Sequence, residues 1–382
     1  MKVITPFNGI RESFRDLSSI IKGIFRVLKS GNFILGNQLS LFESEFSKYL
    51  SDKKIYSVGT NSCTDSLYLS LKLFGIGKGD EVITQSNTAI PTVNAIVMSG
   101  ATPVFVDVTN NHQIDISQVE EKINKKTKAV IAVHLFGNCC EIDILEDLCN
   151  KASIKLIEDC AQSFGSTYNG RKLGTFGDTS CFSFYPTKIL STYGDGGMVV
   201  CKTKSNYDKL RRMRFHGIDR TRGYYTREDA RLTMNSRLDE IHASILRYKL
   251  KKVDKLIQKR KKIANYYLNN IKLNDIGFHT HRPNMVYYNY VVRHPRRDEI
   301  IEYAKTKGIY FNINYPYPIH KMKGYSFLKK YKLKNTEAFS KEIFNLPIFP
   351  SLKKSEMKKI VKVLNEFLWY VKYFSYISRY KI

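Results

Sequence analysis

The feature that most constrains the fold is an alternation of short apolar runs with helical patterns between residues 55 and 159. The strand-like runs are Ile55–Val58, Glu81–Thr84, Val104–Val108, Lys128–Val133 and Lys155–Asp159. Between them, Pro91–Ser99, Ile116–Asn124 and Ile142–Ala152 carry apolar residues at helical spacing. Strands joined through helices at this interval predict right-handed βαβ units and a mainly parallel sheet covered on both faces. Ligands of such sheets sit at the carboxyl ends of the strands. Asp159 ends one strand, and the turn Gly59–Thr64 follows another, so both are expected at one crevice.

That turn reads Gly59-Thr60-Asn61-Ser62-Cys63-Thr64-Asp65-Ser66, and a helix with Leu67, Leu71 and Phe74 on one face follows it. The first N–H groups of a helix lack internal partners and the helix dipole favours negative charge, so this is a candidate anion site. Helix capping by Ser62, Thr64 and Asp65 explains the same residues, and the pattern alone does not separate the two. Upstream, Asn37 is expected to cap a helix through Leu50 with Leu39, Phe42, Phe46 and Tyr49 on its apolar face.

The stretch from Ile157 to Val200 carries candidate chemistry. It holds the acid Asp159, the amide Gln162, the hydroxyl Ser183, the amine Lys188 and the turn Gly194-Asp195-Gly196-Gly197. Pyridoxal phosphate (PLP) needs such a set: an amine to condense with its aldehyde, an acid for its ring nitrogen and a hydroxyl for its phosphate. Taken singly, an Asp after a strand reads as a turn residue and one Lys among many as a surface charge.

Composition closes off other classes. No apolar run approaches the ~20 residues of a membrane span, and the first residues are too polar for a signal peptide, which predicts a cytoplasmic protein. The seven cysteines form no CxxC pair and read as reduced core thiols. Cys139 and Cys140 with His134 make an incomplete metal-ligand set. The formal charge of +27 invites a nucleic-acid reading, yet no helix-turn-helix or zinc-finger signature accompanies it. Along Lys249–Lys262 the apolar residues keep helical spacing, so the charges lie on a solvated face. A positive field would also steer an anionic substrate.

With 382 residues, two domains are expected, a large α/β part at 1–250 and a smaller α+β part at 251–382. A long basic helix near Asp239–Ile271 joins them. Beyond it come strands at Val286–Arg293 and Ile309–Ile313, helices at Asp298–Lys307 and Ser355–Leu368, and an aromatic, basic tail from Trp369 read as a final packed helix.

Motifs in order along nearly the whole chain resemble the DegT/DnrJ/EryC1/StrS sugar aminotransferases. They are FILG (33–36), NSCTDSLYLSL (61–71), SNTAIPTVNAI (86–96), GATPVFVDV (100–108), VHLFGN (133–138), EDCAQSFGS (158–166), SFYPTK (183–188), YGDGGMVV (193–200), NSRLDEIHASIL (235–246) and YPYPIH (315–320). The resemblance implies the type I aminotransferase fold, with a mainly parallel seven-stranded sheet and a smaller C-terminal domain. It makes Lys188 the Schiff-base lysine and Asp159 the partner of the pyridine nitrogen. Gln162 would lie against the cofactor ring, and Ser183, Ser62 and the backbone of Thr64 and Asp65 would hold the phosphate. Asn235 would reach the phosphate from a second subunit, implying a homodimer. Arg237, Tyr315 and His320 match positions near the substrate pocket.

The chain departs from the pattern at Ala89, where an aromatic residue often covers the ring; Asn87 or a neighbour would take that place. Cys63 and Ser66 replace common Gly and Ala. The implied reaction moves an amino group from L-glutamate to a nucleotide-linked keto sugar, best matched to a dTDP-linked 3-keto-6-deoxy sugar, with a 4-keto sugar as the alternative. Lys188 argues against the related sugar dehydratases, which carry histidine there, and retention of the whole set argues against a non-catalytic regulator.

Overall fold

The computed structural model describes residues 3–5, 14–218, 233–273, 276–278 and 284–379, with side chains from residue 368 onward left undescribed. In chain order, helices α1 (Phe14–Ser30) and α2 (Asn37–Leu50) precede strand β1 (Tyr56–Thr60). Then follow α3 (Cys63–Leu73), β2 (Glu81–Gln85), α4 (Ile90–Ser99), β3 (Thr102–Val106), α5 (Ile116–Lys122), β4 (Thr127–Val133), α6 (Ile142–Lys151) and β5 (Lys155–Asp159). A small hairpin of β6 (Thr167–Tyr168) and β7 (Arg171–Lys172) leads to β8 (Thr179–Ser183), β9 (Gly197–Cys201) and α7 (Lys204–Met213). The rest comprises α8 (Glu240–Leu250), α9 (Val253–Asn270), β10 (Gly277–Phe278), β11 (Tyr290–Arg293), α10 (Arg297–Thr306), α11 (Lys334–Glu342), β12 (Ile343–Leu346) and α12 (Lys354–Arg379).

Seven strands form one sheet in the order β1-β9-β8-β5-β4-β2-β3. Only β9 runs against its neighbours; the other six point the same way. Both faces are buried, as the near-continuous apolar strands require. On β4, Ala129, Ile131 and Val133 join Leu67, Leu71, Ala95 and Ile96 of α3 and α4 in one core. Val130 and Ala132 turn the other way, to Phe42 and Phe46 of α2, Leu145 of α6 and Leu246 of α8. The same alternation splits the two acids of β5. Asp159 shares a face with Ile157, on the α3 and α4 side, and Glu158 shares one with Leu156 on the opposite side.

A third core joins β10, β11 and β12 with α9, α10 and α12 through Tyr267, Tyr290, Phe344 and Phe367. Ile4 belongs to it and bridges Ile309.

The structure corrects several expectations. Gly36, not Asn37, is the N-cap of α2, and it offers no side chain. The buried Glu240 carboxylate does the capping, accepting the N–H groups of Gly36 (3.0 Å), Gln38 (2.7 Å) and Leu39 (2.9 Å). Glu240→Gln leaves an amide where two acceptor oxygens are needed. We expect it to lower stability by ~1–3 kcal/mol, read from denaturant unfolding, and an unchanged midpoint would refute the role. The basic helix is two helices, broken at Lys251-Lys252. The strand expected at Val286 starts at Tyr290, and Ile309–Ile313 makes only isolated bridges at Ile309 and Asn312. The last helix extends to Arg379. What its aromatic side chains touch from residue 368 on lies outside the described residues.

Candidate active site

Six strands share one direction, so their carboxyl ends collect along one edge. β1 ends at Thr60, β2 at Gln85, β5 at Asp159 and β8 at Ser183. The antiparallel β9 begins there, with Gly197 paired to Ser183 on one side and to Thr60 on the other. A Cβ at Gly197 would lie 2.4 Å from the backbone of Ser62. Glycine is therefore what lets β9 start beside the turn, and Ser183 and the Ser62 turn are brought to the same edge by register.

The turn itself is a helix cap. Ser62 is the N-cap of α3 and its hydroxyl accepts the Asp65 N–H at 3.1 Å. The Asp65 carboxylate faces the Ser236 hydroxyl at 2.7 Å. The structure bears out the capping reading: the Asp65 N–H is spent on the cap, and Cys63 and Thr64 are the first two residues of the helix. Ser183 Oγ accepts the Tyr185 N–H at 3.4 Å.

Asp159 is 5% exposed. Its Oδ2 accepts the Thr92 hydroxyl at 2.7 Å, and its Oδ1 accepts the Ala161 N–H at 3.1 Å, with the Cys63 thiol at 4.0 Å. Burial pushes its carboxyl above the usual range, opposed by the Thr92 and Ala161 bonds and the Lys188 and His134 charges. Thr92 was invisible as a site residue in the sequence; its helical position four residues after Thr88, whose hydroxyl it meets at 3.1 Å, was the available signal.

Glu158, the neighbouring acid, has a structural task. It accepts the N–H groups of Gly174, Phe176 and Gly177, the Ser180 hydroxyl and His134 Nε2 at 2.9 Å. Burial alone would raise its carboxyl; the His134 and backbone bonds hold it below the ordinary range. His134, Glu158 and Cys160 are close enough to hold a metal, but Glu158's oxygens are already occupied by these donors. Cys139 and Cys140, grouped with His134 in the sequence, are instead buried in the core and outside that cluster.

Gln162 is fixed at both ends. Its oxygen accepts the Phe136 N–H at 2.8 Å and its nitrogen donates to the Tyr315 hydroxyl at 2.5 Å. Tyr315 is partly buried, with its phenol shifted upward by desolvation, and has a left-handed backbone at φ 59°. Asn87 is 3% exposed and its amide meets His112 at 3.4 Å, while Ala89 is the N-cap of α4. His320 bonds Ser86 Oγ through Nδ1 at 2.7 Å and Glu337 through Nε2 at 3.2 Å. Both ring nitrogens are thus engaged, and burial lowers its affinity for a proton.

Lys188 follows β8 in the loop, its Nζ 4.7 Å from the centre of the Tyr288 ring. It lines a cavity of about 360 Å³ with residues of α8, α9 and the loop after β12. Arg237 stacks on Phe215 at 5.1 Å, and Asn235 is exposed, bridged to Phe215 by its backbone. The protomer therefore brings Ser62, Thr64, Asp159, Ser183 and Gly197 to one edge and ties Gln162 to Tyr315. It leaves Asn235 pointing outward.

The model of the DegT/DnrJ/EryC1/StrS aminotransferase family matches residues 16–365. The chain belongs to this family. It is 40% identical to a dTDP-3-amino-3,4,6-trideoxy-alpha-D-glucose transaminase of Micromonospora megalomicea subsp. nigra, over 92% of this chain and 95% of that one. It is 37% identical to a dTDP-3-amino-3,6-dideoxy-alpha-D-galactopyranose transaminase of Aneurinibacillus thermoaerophilus, over 95% and 99%. The fold matches S. venezuelae DesV, solved in complex with a ketimine intermediate, with a TM-score of 0.87 at 34% identity over 92% and 95% of the two chains. DegT-family aminotransferases use PLP, so this DegT-family chain is a PLP-dependent aminotransferase of the α/β type expected from its alternating strands and helices.

Proposed function

We propose that the enzyme transfers the amino group of L-glutamate to a dTDP-linked 3-keto-6-deoxy sugar, with Lys188 and Asp159 as its catalytic residues. The observation that carries this reading is the set of strand ends: an open helix N-terminus, a buried carboxylate and a hydroxyl lie along one edge, with the lysine in the following loop. The residues fit PLP. Asp159 is a buried carboxylate with no ion pair to a described residue, suited to a protonated ring nitrogen. The Cys63 and Thr64 N–H groups and Ser183 suit the phosphate.

When bound, PLP supplies an aldehyde and an electron-withdrawing ring. Lys188 would hold it through its amine and would serve as the base that carries a proton to and from the substrate carbon that bears nitrogen. Its tether supplies that base at high effective concentration. Asp159 would keep the ring nitrogen protonated, and Gln162, set by Phe136 and Tyr315, would lie against the ring or its 3-oxygen. Asn235, exposed in the protomer, reaches the phosphate of a second copy, which makes the enzyme a homodimer. Arg237 and Tyr315 serve the sugar nucleotide. We also read the chain as two domains, at 1–250 and 251–382, in the cytoplasm; no helix among the described residues is long and apolar enough to cross a membrane.

The 3-keto choice rests on the two relatives named for 3-amino sugars. The test is the absorbance of the purified protein with PLP, before and after L-glutamate, followed by each keto sugar. We expect a lysine-linked cofactor band that glutamate converts to the amine form and that a 3-keto sugar restores. Indifference to glutamate would remove it as donor, and recovery by a 4-keto sugar alone would overturn the choice of carbon.

A further inference from the structure

The cavity beside Lys188 is lined by a cation that no described carboxylate neutralises. Arg260 of α9 is 9% exposed. One of its terminal nitrogens donates to the carbonyls of Tyr287 (3.2 Å), Tyr288 (3.3 Å) and Ile348 (2.8 Å). Among the described residues no carboxylate pairs with it. Burial pushes its pKa down to about 10, so it remains charged at neutral pH. A buried charge without a partner is costly, and carbonyl oxygens compensate it only in part. The remaining guanidinium donors are left for a ligand.

The cavity wall repeats the same message. It carries five basic side chains against one acid, Asp16, which is already paired with Lys252. The same cavity is lined by Asn345, 2% exposed, whose nitrogen donates to the Asn312 carbonyl at 3.1 Å. That bond sets the amide's orientation and leaves its buried oxygen without a partner. The site therefore offers a fixed cation and an open acceptor, the complement of a group carrying both a carboxylate and an N–H.

Tyr288 sets how near this pair lies to the chemistry. Its ring sits under Lys188 Nζ at 4.7 Å while its carbonyl holds Arg260 at 3.3 Å. An amino donor that would displace the lysine from the cofactor carries its α-carboxylate on the carbon that bears the reacting nitrogen. The diphosphate of a sugar nucleotide lies several bonds further from the reacting carbon. We propose that Arg260, with the Asn345 oxygen, binds the α-amino carboxylate end of the amino donor in the cavity beside Lys188. This rests on Lys188 being the reactive lysine. A planar guanidinium meets a carboxylate with two parallel bonds, which a lysine cannot reproduce.

The test uses the PLP-loaded enzyme and three probes. Glutarate, a dicarboxylate without the amine, and dTDP are titrated calorimetrically into wild type and Arg260→Gln. Conversion of the cofactor band is followed against L-glutamate concentration in the same proteins and in Arg260→Lys. We expect Arg260→Gln to lose glutarate binding, keep dTDP binding and require ~100-fold more glutamate for half-maximal conversion, with Arg260→Lys in between. Unchanged glutarate binding, or a loss confined to dTDP, would overturn the assignment; the latter would place the diphosphate there instead.

Arg260 also holds three carbonyls, so the glutamine variant risks misfolding. The wild-type enzyme then decides: isoglutamine, with a neutral α-carboxamide, should convert the band ~100-fold less effectively than glutamate, and equal conversion would sink the proposal. An enzyme whose band ignores every amino acid would fail as a glutamate-dependent aminotransferase, while the glutarate titration would still report on Arg260.

Discussion

Lys188→Ala is expected to fold, to show no lysine-linked cofactor band and to lose turnover by ~10⁵ or more, the scale set by replacing a tethered amine with solvent. Folding should survive because the side chain is only partly buried and its described contact is the Tyr288 ring, an interaction worth ~0.5–2 kcal/mol. Absorbance and turnover measured on the same preparation decide it. A band that persists in the alanine variant would exclude Lys188 as the anchor.

Asp159→Asn is expected to bind PLP and to turn over ~10³-fold more slowly. An ion pair at ~4 Å is worth about 4 kcal/mol at an effective dielectric of ~20. If most of it is felt in the transition state, its loss gives a rate effect of that size. The surroundings add a smaller term. Thr92 and Ala161 aim donors at different oxygens of the carboxylate, and an asparagine offers only one oxygen. The second donor loses its partner at a cost of ~1–3 kcal/mol, which belongs to stability rather than rate. Unfolding curves separate the two effects, and near wild-type turnover would remove Asp159 from the mechanism.

The scaffold that carries both residues was legible in the sequence. Lys155–Asp159 was read at the bounds the fold shows, because a short apolar run ending in acids has few other uses in an alternating chain. The carboxyl-end argument also placed the Ser62 turn at the same edge as Asp159. What stayed hidden were interactions that join distant parts of the chain. Glu240 caps a helix that begins some two hundred residues earlier, so the eye settled on the adjacent Asn37. The break at Lys251-Lys252 escaped because neither residue is a helix breaker and the apolar spacing runs on through it. Glu158 and Asp159 look alike in a string, and only the pleat of β5 sends one to the site and the other to a buried loop. Arg260 was read as one of many solvated charges on a basic helix, since burial of a single position among so many lysines leaves no mark on periodicity.

The reversed strand next to the edge of the sheet has a bearing on biosynthesis. β1 touches the sheet only through β9, so it can pack against α2 but pairs with no strand until Gly197 is in place, roughly 140 residues later. At ribosomal speeds of ~5–20 residues per second, that is a wait of about 7–30 s after Thr60 is made. Strands β2 to β5 are consecutive in the chain and can assemble in the meantime. The strand that leads into the Ser62 turn is thus among the last pieces of the large sheet to be fastened. A nascent chain stalled before residue 197 would hold a parallel half-sheet with β1 still unpaired, so the Ser62 turn and the Ser183 end of β8 would not yet be fixed beside each other.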